Sequence, residues 1–153
     1  MSLLTGVLAG WATVANGTVA GTFFAVEVSV FPVLTAMPPA LYVRTQFQLG
    51  KGYHPIMPII VSSVVLVDAA LAVLARTAAL HAGYALLTVL FLGVPAISQF
   101  ANLPLNKAIA SADAAGIPDD WTDPRPAWRA WHRVRLVLAF LTLFGNAIAL
   151  TMV

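Results

Sequence analysis

Four stretches of the chain, roughly residues 3–34, 56–75, 80–103 and 128–152, each run for about 20 residues or more and are mostly apolar. That is the length an α-helix needs to cross a hydrocarbon layer about 30 Å thick. Lipid offers the backbone no hydrogen bonds, so only helices or closed barrels can span it. Composition agrees, with 60% of residues hydrophobic and 9% charged, against about 25% charged in soluble domains. The expected fold is therefore all-α: a single four-transmembrane-helix domain over residues 1–153, folded as an integral membrane antiparallel four-helix bundle.

The connections divide by character. MPPALYVRTQFQLGKGYHP, between the first two spans, has a Pro38-Pro39 start and mixed polarity, and reads as a short interfacial helix. The second and third spans join tightly through Arg76-Thr77. PLNKAIASADAAGIPDDWTDPRP, with Pro118, Pro124 and Pro126 among its aspartates, reads as a longer exposed loop before the fourth span. Arg44, Lys51, Lys107, Arg125, Arg129 and Arg133 fall on one side and Arg76 alone on the other. The positive-inside rule then puts both termini outside the cell (inner) membrane and residues 35–55 and 104–127 in the cytoplasm. The start of the chain lacks a basic region and its apolar run is too long for a signal peptide, which predicts an uncleaved first span. Net charge is only +2, without the clustered basic and aromatic face that nucleic acid requires, and there is no cysteine for disulfide, thiolate or cluster chemistry.

An ionisable side chain inside a span costs roughly 2.5–3.5 kcal/mol and marks a functional site by default. Glu27, Asp68 and Arg135 qualify, with His132 beside the last. At 100° per residue Trp128, Trp131, His132 and Arg135 share a face that continues through Ala139, Thr142 and Asn146. Arg129 and Arg133 fall on another face, suited to reaching headgroups as anchors. Asn16, Ala20, Phe23 and Glu27 line one face of the first span. Glu27 and Arg135 lie about seven residues in from the same end, which predicts a Glu27–Arg135 ion pair. Gln99, Asn102 and Asn106 recur on the third span, with Pro104 breaking the regularity, and His54 opens the second. The expectation is one cytoplasm-facing polar pocket fed by all four spans and lined by Phe23, Tyr53, Trp128 and Trp131. Asp68 is either a buried partner to a hydroxyl or amide, or a proton-handling group.

Four motifs, GTFFAVEVSVFP, GYHPIMP, NLPLN and WRAWHRVR, together resemble the anthrone-oxygenase-like family of small four-helix membrane proteins, many of them known only as a domain of unknown function. The resemblance spans the whole chain and is most specific at Asn102, Pro104, Asn106, Trp128, Trp131, His132 and Arg135. It implies the four-helix fold and, by analogy with fungal members, oxidation of a polyketide anthrone to an anthraquinone.

The residue types suit that chemistry. His132 could serve as base, because imidazole titrates near neutrality. Arg135 with Asn102 or Asn106 could hold an enolate oxygen, Trp128, Trp131 and Phe23 could stack on a flat hydrophobic aromatic substrate, and Glu27 could orient His132. Gln99 and His54 would complete the substrate-binding wall. This route requires no cofactor. Two alternatives stay open: a metal or haem oxidoreductase, with His54, His132 and Glu27 as a two-histidine-one-carboxylate set, and a non-catalytic small-molecule or lipid binder, or accessory subunit of a membrane complex. A homo-oligomer is compatible with all three.

Overall fold

The computed structural model of the protein describes residues 2–152, the side chains of residues 113–115 excepted. Five helices carry the described chain: α1 (Leu3–Ala36), α2 (Pro39–Tyr53), α3 (Ile56–Leu74), α4 (Ala78–Ala112, helical on to Ala115) and α5 (Arg125–Leu150). All but α2 are long and apolar enough to cross a membrane. Local chemistry sets the helix starts. Ser2 accepts a hydrogen bond from the Thr5 amide at 3.2 Å, and Thr77 accepts one from Leu80 at 3.2 Å, each satisfying an amide that the first turn leaves free.

The four long helices form a closed ring of neighbours, α1 against α3, α3 against α4, α4 against α5 and α5 against α1. Contacts climb one helix as they descend the next. With its amide turned to satisfy both groups, Asn16 bonds the backbone of Ala139 and Leu143, while His132 meets Phe23 and Arg129 meets Glu27. Polarity runs inside out. Phe100, Phe144 and Leu66 stand 68–81% exposed, whereas Asn16, Asp68 and Thr142 are fully enclosed among Ala12, Val19, Ala20 and Ala139. Small and polar residues face inward, the pattern of helices held together by close backbones and interhelical hydrogen bonds. Gly145 shows the tightness: a Cβ there would collide with Leu87 on α4, and one at Gly93 would come within 2.7 Å of Leu138 on α5.

At 34 and 35 residues, α1 and α4 are about 50 Å long at 1.5 Å per residue and overhang α3, which has 19. The amphipathic α2, expected as an interfacial helix, fills that gap. Its Tyr42 and Val43 pack with Leu34, Ile109 and Ala112 in a small core of their own, where burial pushes the Tyr42 phenol up to about 12.

The expected boundaries need correction. The third span does not stop at 103 but continues through Pro104, so the loop expected at 104–127 shrinks to 116–124. α5 begins at Arg125 instead of 128 and α1 ends at Ala36 instead of 34. The reason Pro104 fails to end its helix lies just before it. Both α1 and α4 widen for one turn, at Val26–Val30 and Ser98–Asn102, where the amides of Phe31 and Leu103 reach back five residues to Val26 and Ser98. Pro32 and Pro104 stand two residues beyond these turns. A proline ring presses on the carbonyl four residues back and offers it no N–H. A π-helical turn makes room for the ring, and the helix resumes.

Arg125, read as a loop cation, is a clamp. Its Nη1 donates to the carbonyls of Leu34, Thr35 and Met37 at 3.2, 3.2 and 2.9 Å, capping the end of α1, and its guanidinium lies 4.9 Å over the Tyr42 ring. The same guanidinium holds the Asp123 carboxyl below the usual carboxylate range.

Two outcomes follow for purified protein in detergent. Gly145→Ala forces Leu87 aside and lowers stability by roughly 1–3 kcal/mol, the range for overpacking, whereas Gly83→Ala, which meets open space inside a helix, raises the melting temperature slightly, since Ala favours the helix over Gly by up to about 1 kcal/mol. Because the Asp123 carboxylate is favoured in the folded chain, its contribution is full above the ordinary carboxylate range and is lost as pH falls through it. Asp123→Asn removes that acid dependence, and since Asp123 is 40% exposed the effect stays below about 1 kcal/mol.

Candidate functional site

Both widened turns face the same segment of α5, the one reading WRAWHRVR. Glu27 lies in the first turn, Ser98 and Asn102 in the second. Between them sits His132, 1% exposed. Its Nε2 lies 3.0 Å from the Phe23 carbonyl and its Nδ1 lies 3.2 Å from Arg135 Nη2. A carbonyl only accepts and a guanidinium only donates, so these two contacts define one tautomer: Nε2 carries the proton, and the Nδ1 lone pair takes a bond from Arg135. Arg135 also donates to Ser98 Oγ at 2.9 Å. A polar chain thus crosses the bundle from the α1 backbone through His132 and Arg135 to α4.

Aromatic rings enclose it. Trp128 stacks on His132 at 5.1 Å and Phe31 stacks on Trp128 at 5.6 Å, while Phe23 meets the imidazole edge-on at 5.4 Å. Arg129 lies 4.9 Å over the outer face of Phe31, and Arg135 lies 4.9 Å over Phe23. Trp128 is fixed further: its indole N–H donates to Asn106 Oδ1 at 2.9 Å, and its carbonyl accepts from Asn102 Nδ2 at 3.3 Å.

Glu27 does not pair with Arg135. Its Oε1 accepts from Arg129 Nε and Arg133 Nε at 2.9 and 2.8 Å, with Arg129 Nη2 at 2.8 Å. The arginines expected to be headgroup anchors are therefore the partners of the intramembrane carboxylate, and Arg135 is held by neutral groups. Oε2 of Glu27 stays buried without a partner, as do Asn102 Oδ1 and Arg135 Nε. Buried polar atoms are almost always hydrogen-bonded, and these three, one on each of three helices, have hydrogen-bonding capacity to spare.

Three helices, not four, build this cluster. His54 is exposed at the junction of α2 and α3, as are Gln99 and Trp131 on their own helices and Tyr53 on α2. No group of three His, Cys, Asp or Glu comes together among the described residues, so His54, His132 and Glu27 do not assemble as a ligand set. Around His132 the site is closed to solvent, that residue being 1% and Trp128 8% exposed. An open cavity of about 700 Å³ lies elsewhere, along Leu41, Arg44, Gln48 and Tyr53 of α2. Sequence reasoning missed Phe31 and Ser98. Each lies at a widened turn, and the signal was a proline six residues after the start of that turn: VEVSVFP in α1, SQFANLP in α4.

Fold and site together define an all-helical protein with four candidate membrane spans and a buried polar cluster at one end of the bundle. A family model described as anthrone oxygenase matches residues 44–145, two thirds of the chain, and the protein belongs to that family. The match takes in Asn102, Asn106, Trp128, His132 and Arg135 but ends short of Phe23, Glu27 and Phe31. No curated protein and no solved structure matches the chain.

The ion cluster has a graded outcome. Glu27→Gln leaves two cations beside a neutral amide and costs roughly 1–3 kcal/mol, less than the 3–5 of a fully buried pair because Arg133 is 57% exposed. Arg133→Gln, which leaves Arg129 in place, costs under about 1 kcal/mol. Thermal unfolding of the two variants checks the order.

Proposed function

We propose that the protein is a membrane oxygenase-like enzyme that oxidises a flat, hydroxylated, anthrone- or quinol-type substrate with dioxygen, working in the polar cluster around His132. The observation that carries this reading is the set of three unpartnered buried atoms on three helices: the Arg135 Nε–H as donor, with Glu27 Oε2 and Asn102 Oδ1 as acceptors. That set suits a ring system bearing a carbonyl or enolate oxygen and phenolic hydroxyls. Family membership supports the reaction class.

The chemistry follows from what each group is already doing. In the closed site the His132 lone pair is occupied by Arg135. A substrate carbonyl or enolate oxygen attracts the guanidinium more strongly than a neutral imidazole does, since charge-assisted hydrogen bonds are about twice as strong as neutral ones. Drawing Arg135 onto the substrate releases Nδ1, and His132 becomes a general base only when its substrate is present. Nδ1 takes a proton from the activated carbon, the oxygen held by Arg135 carries the resulting charge, and the carbanion adds dioxygen. The hydroperoxide regains the proton and loses water to leave a ketone, so one dioxygen is consumed and one water formed per CH₂ oxidised. Glu27 Oε2 and Asn102 Oδ1 would accept from ring hydroxyls. Asn106 holds Trp128, and Phe31 and Trp128 must part for a ring to enter between them. Around this site the chain is read as an antiparallel four-helix bundle in the cell membrane, with its basic end and α2 at the cytoplasmic face.

The sealed packing of His132 favours a second reading, in which the cluster only holds three helices in register and the protein is a binder or an accessory subunit. Turnover separates the two. Purified protein in lipid nanodiscs should accelerate dioxygen uptake by a hydroxyanthrone, and His132→Ala should lower the rate by roughly 10²–10⁴, the usual contribution of a general base. A wild-type rate equal to that of empty nanodiscs contradicts the enzymatic reading.

A further inference from the structure

The opposite half of the bundle holds a second buried polar group that the proposed reaction does not use. Asp68, near the middle of α3, is fully enclosed. Its one hydrogen bond comes from Asn146 Nδ2 to Oδ2 at 3.3 Å, and Oδ1 is buried with no partner. The hydroxyl of Tyr84 on α4 is likewise buried and unpartnered, and its ring packs in one cluster with Leu71, Ala72 and Val67, the α3 residues around Asp68. Tyr84 also forms a wall of a cavity of about 150 Å³, lined with Thr5, Leu71, Arg76, Thr77 and Met152 where α3 turns into α4. At ~30 Å³ each, a few waters fit that space. Tyr84 therefore stands between an aqueous opening and a carboxyl with an idle oxygen.

Among the described residues no counter-cation pairs with Asp68. The ion pairs among the described residues are those of Asp123 and Glu27. From α4 the facing titratable groups are Tyr84 and, nearer the turn, His81, whose Nδ1 lies 2.8 Å from the Ala72 carbonyl. From α5 there are only the neutral Asn146 and Thr142, and the half of α1 packed here, residues 3–20, contains no titratable side chain. Arg76 lies eight residues along from Asp68, about 12 Å at 1.5 Å per residue, and Arg135 is bonded to His132 and Ser98. A carboxylate enclosed by apolar walls without a cation is strongly disfavoured, while a carboxylic acid has a hydrogen to offer.

We propose that Asp68, Tyr84 and Asn146 form a proton-binding site, loaded through the cavity at the α3–α4 turn. Asp68 holds the proton, Asn146 donates to its Oδ2, and the Tyr84 hydroxyl links the acid to water in the cavity. Proton entry is a relay: a hydronium in the cavity gives its proton to the Tyr84 oxygen and becomes water, as the Tyr84 hydroxyl swings to pass its own proton to the Asp68 carboxylate, so the phenol is neutral before and after. The site goes beyond the oxidation proposed above and does not depend on it.

Infrared difference spectroscopy of the full chain in nanodiscs at neutral pH tests it. The expected result is a carbonyl stretch of a protonated carboxylic acid that disappears in Asp68→Asn and, in Tyr84→Phe, shifts and exchanges more slowly in deuterated buffer. Asp68→Asn, a neutral isostere of the acid, should fold and melt as the wild type does. Absence of the band, its survival in Asp68→Asn, or an unaltered band in Tyr84→Phe would overturn the proposal. So would loss of the band on adding sodium or potassium at fixed pH, which would make it a metal-cation site, or failure of Asp68→Asn to fold.

Discussion

Polar side chains enclosed between apolar helices must find their partners within the bundle, and the bonds that cross from one helix to another organise this protein. The hydrogen bond from His132 to the Phe23 carbonyl and the ion cluster of Glu27 with Arg129 and Arg133 tie α1 to α5 one turn apart. The Arg135–Ser98 bond extends the tie to α4. Fixing these three helices fixes the stack of Phe31, Trp128 and His132, because each ring is held by a polar contact of its neighbours. The exposed surface, crowded with Leu, Val and Phe, needs no such matching. The length and composition of the four long helices suit a lipid surround.

The widened turns explain how two long helices deliver polar groups to one place. Each shifts the angular phase of its helix, and each is coupled to a proline that would otherwise break it. π-Helical turns recur at functional sites because they trade backbone regularity for side-chain placement. Here they place Glu27 on one side of the imidazole and Ser98 with Asn102 on the other. A site built this way closes tightly over itself, with His132 1% exposed.

The parts legible in the sequence were those governed by regular helix geometry. The face carrying Asn16, Ala20 and Phe23 and the stripe through His132, Arg135, Ala139, Thr142 and Asn146 are buried as the 100° spacing predicts, and Asn146 is the amide that meets Asp68. The failures lie where that geometry is interrupted. Residues were counted through 26–30 and 98–102 as if the helix were straight, which assigned Glu27 to Arg135 and put Gln99 inside in place of Ser98. Charge matching by depth alone cannot tell Arg129 from Arg135, since lateral position on α5 decides the partner. Trp131, at the edge of the face its spacing assigns, is 45% exposed, and His54 lies in the break between α2 and α3, where helical phase does not fix the direction of a side chain.

The central claim is that His132 bridges α1 and α5 as a neutral imidazole whose Nδ1 is occupied by Arg135. Nitrogen-15 NMR of the labelled imidazole in lipid nanodiscs reads this directly. The account predicts a proton on Nε2 and an unprotonated, hydrogen-bonded Nδ1 that loses its bond in Arg135→Gln. A proton on Nδ1, or an imidazolium carrying both, would contradict it.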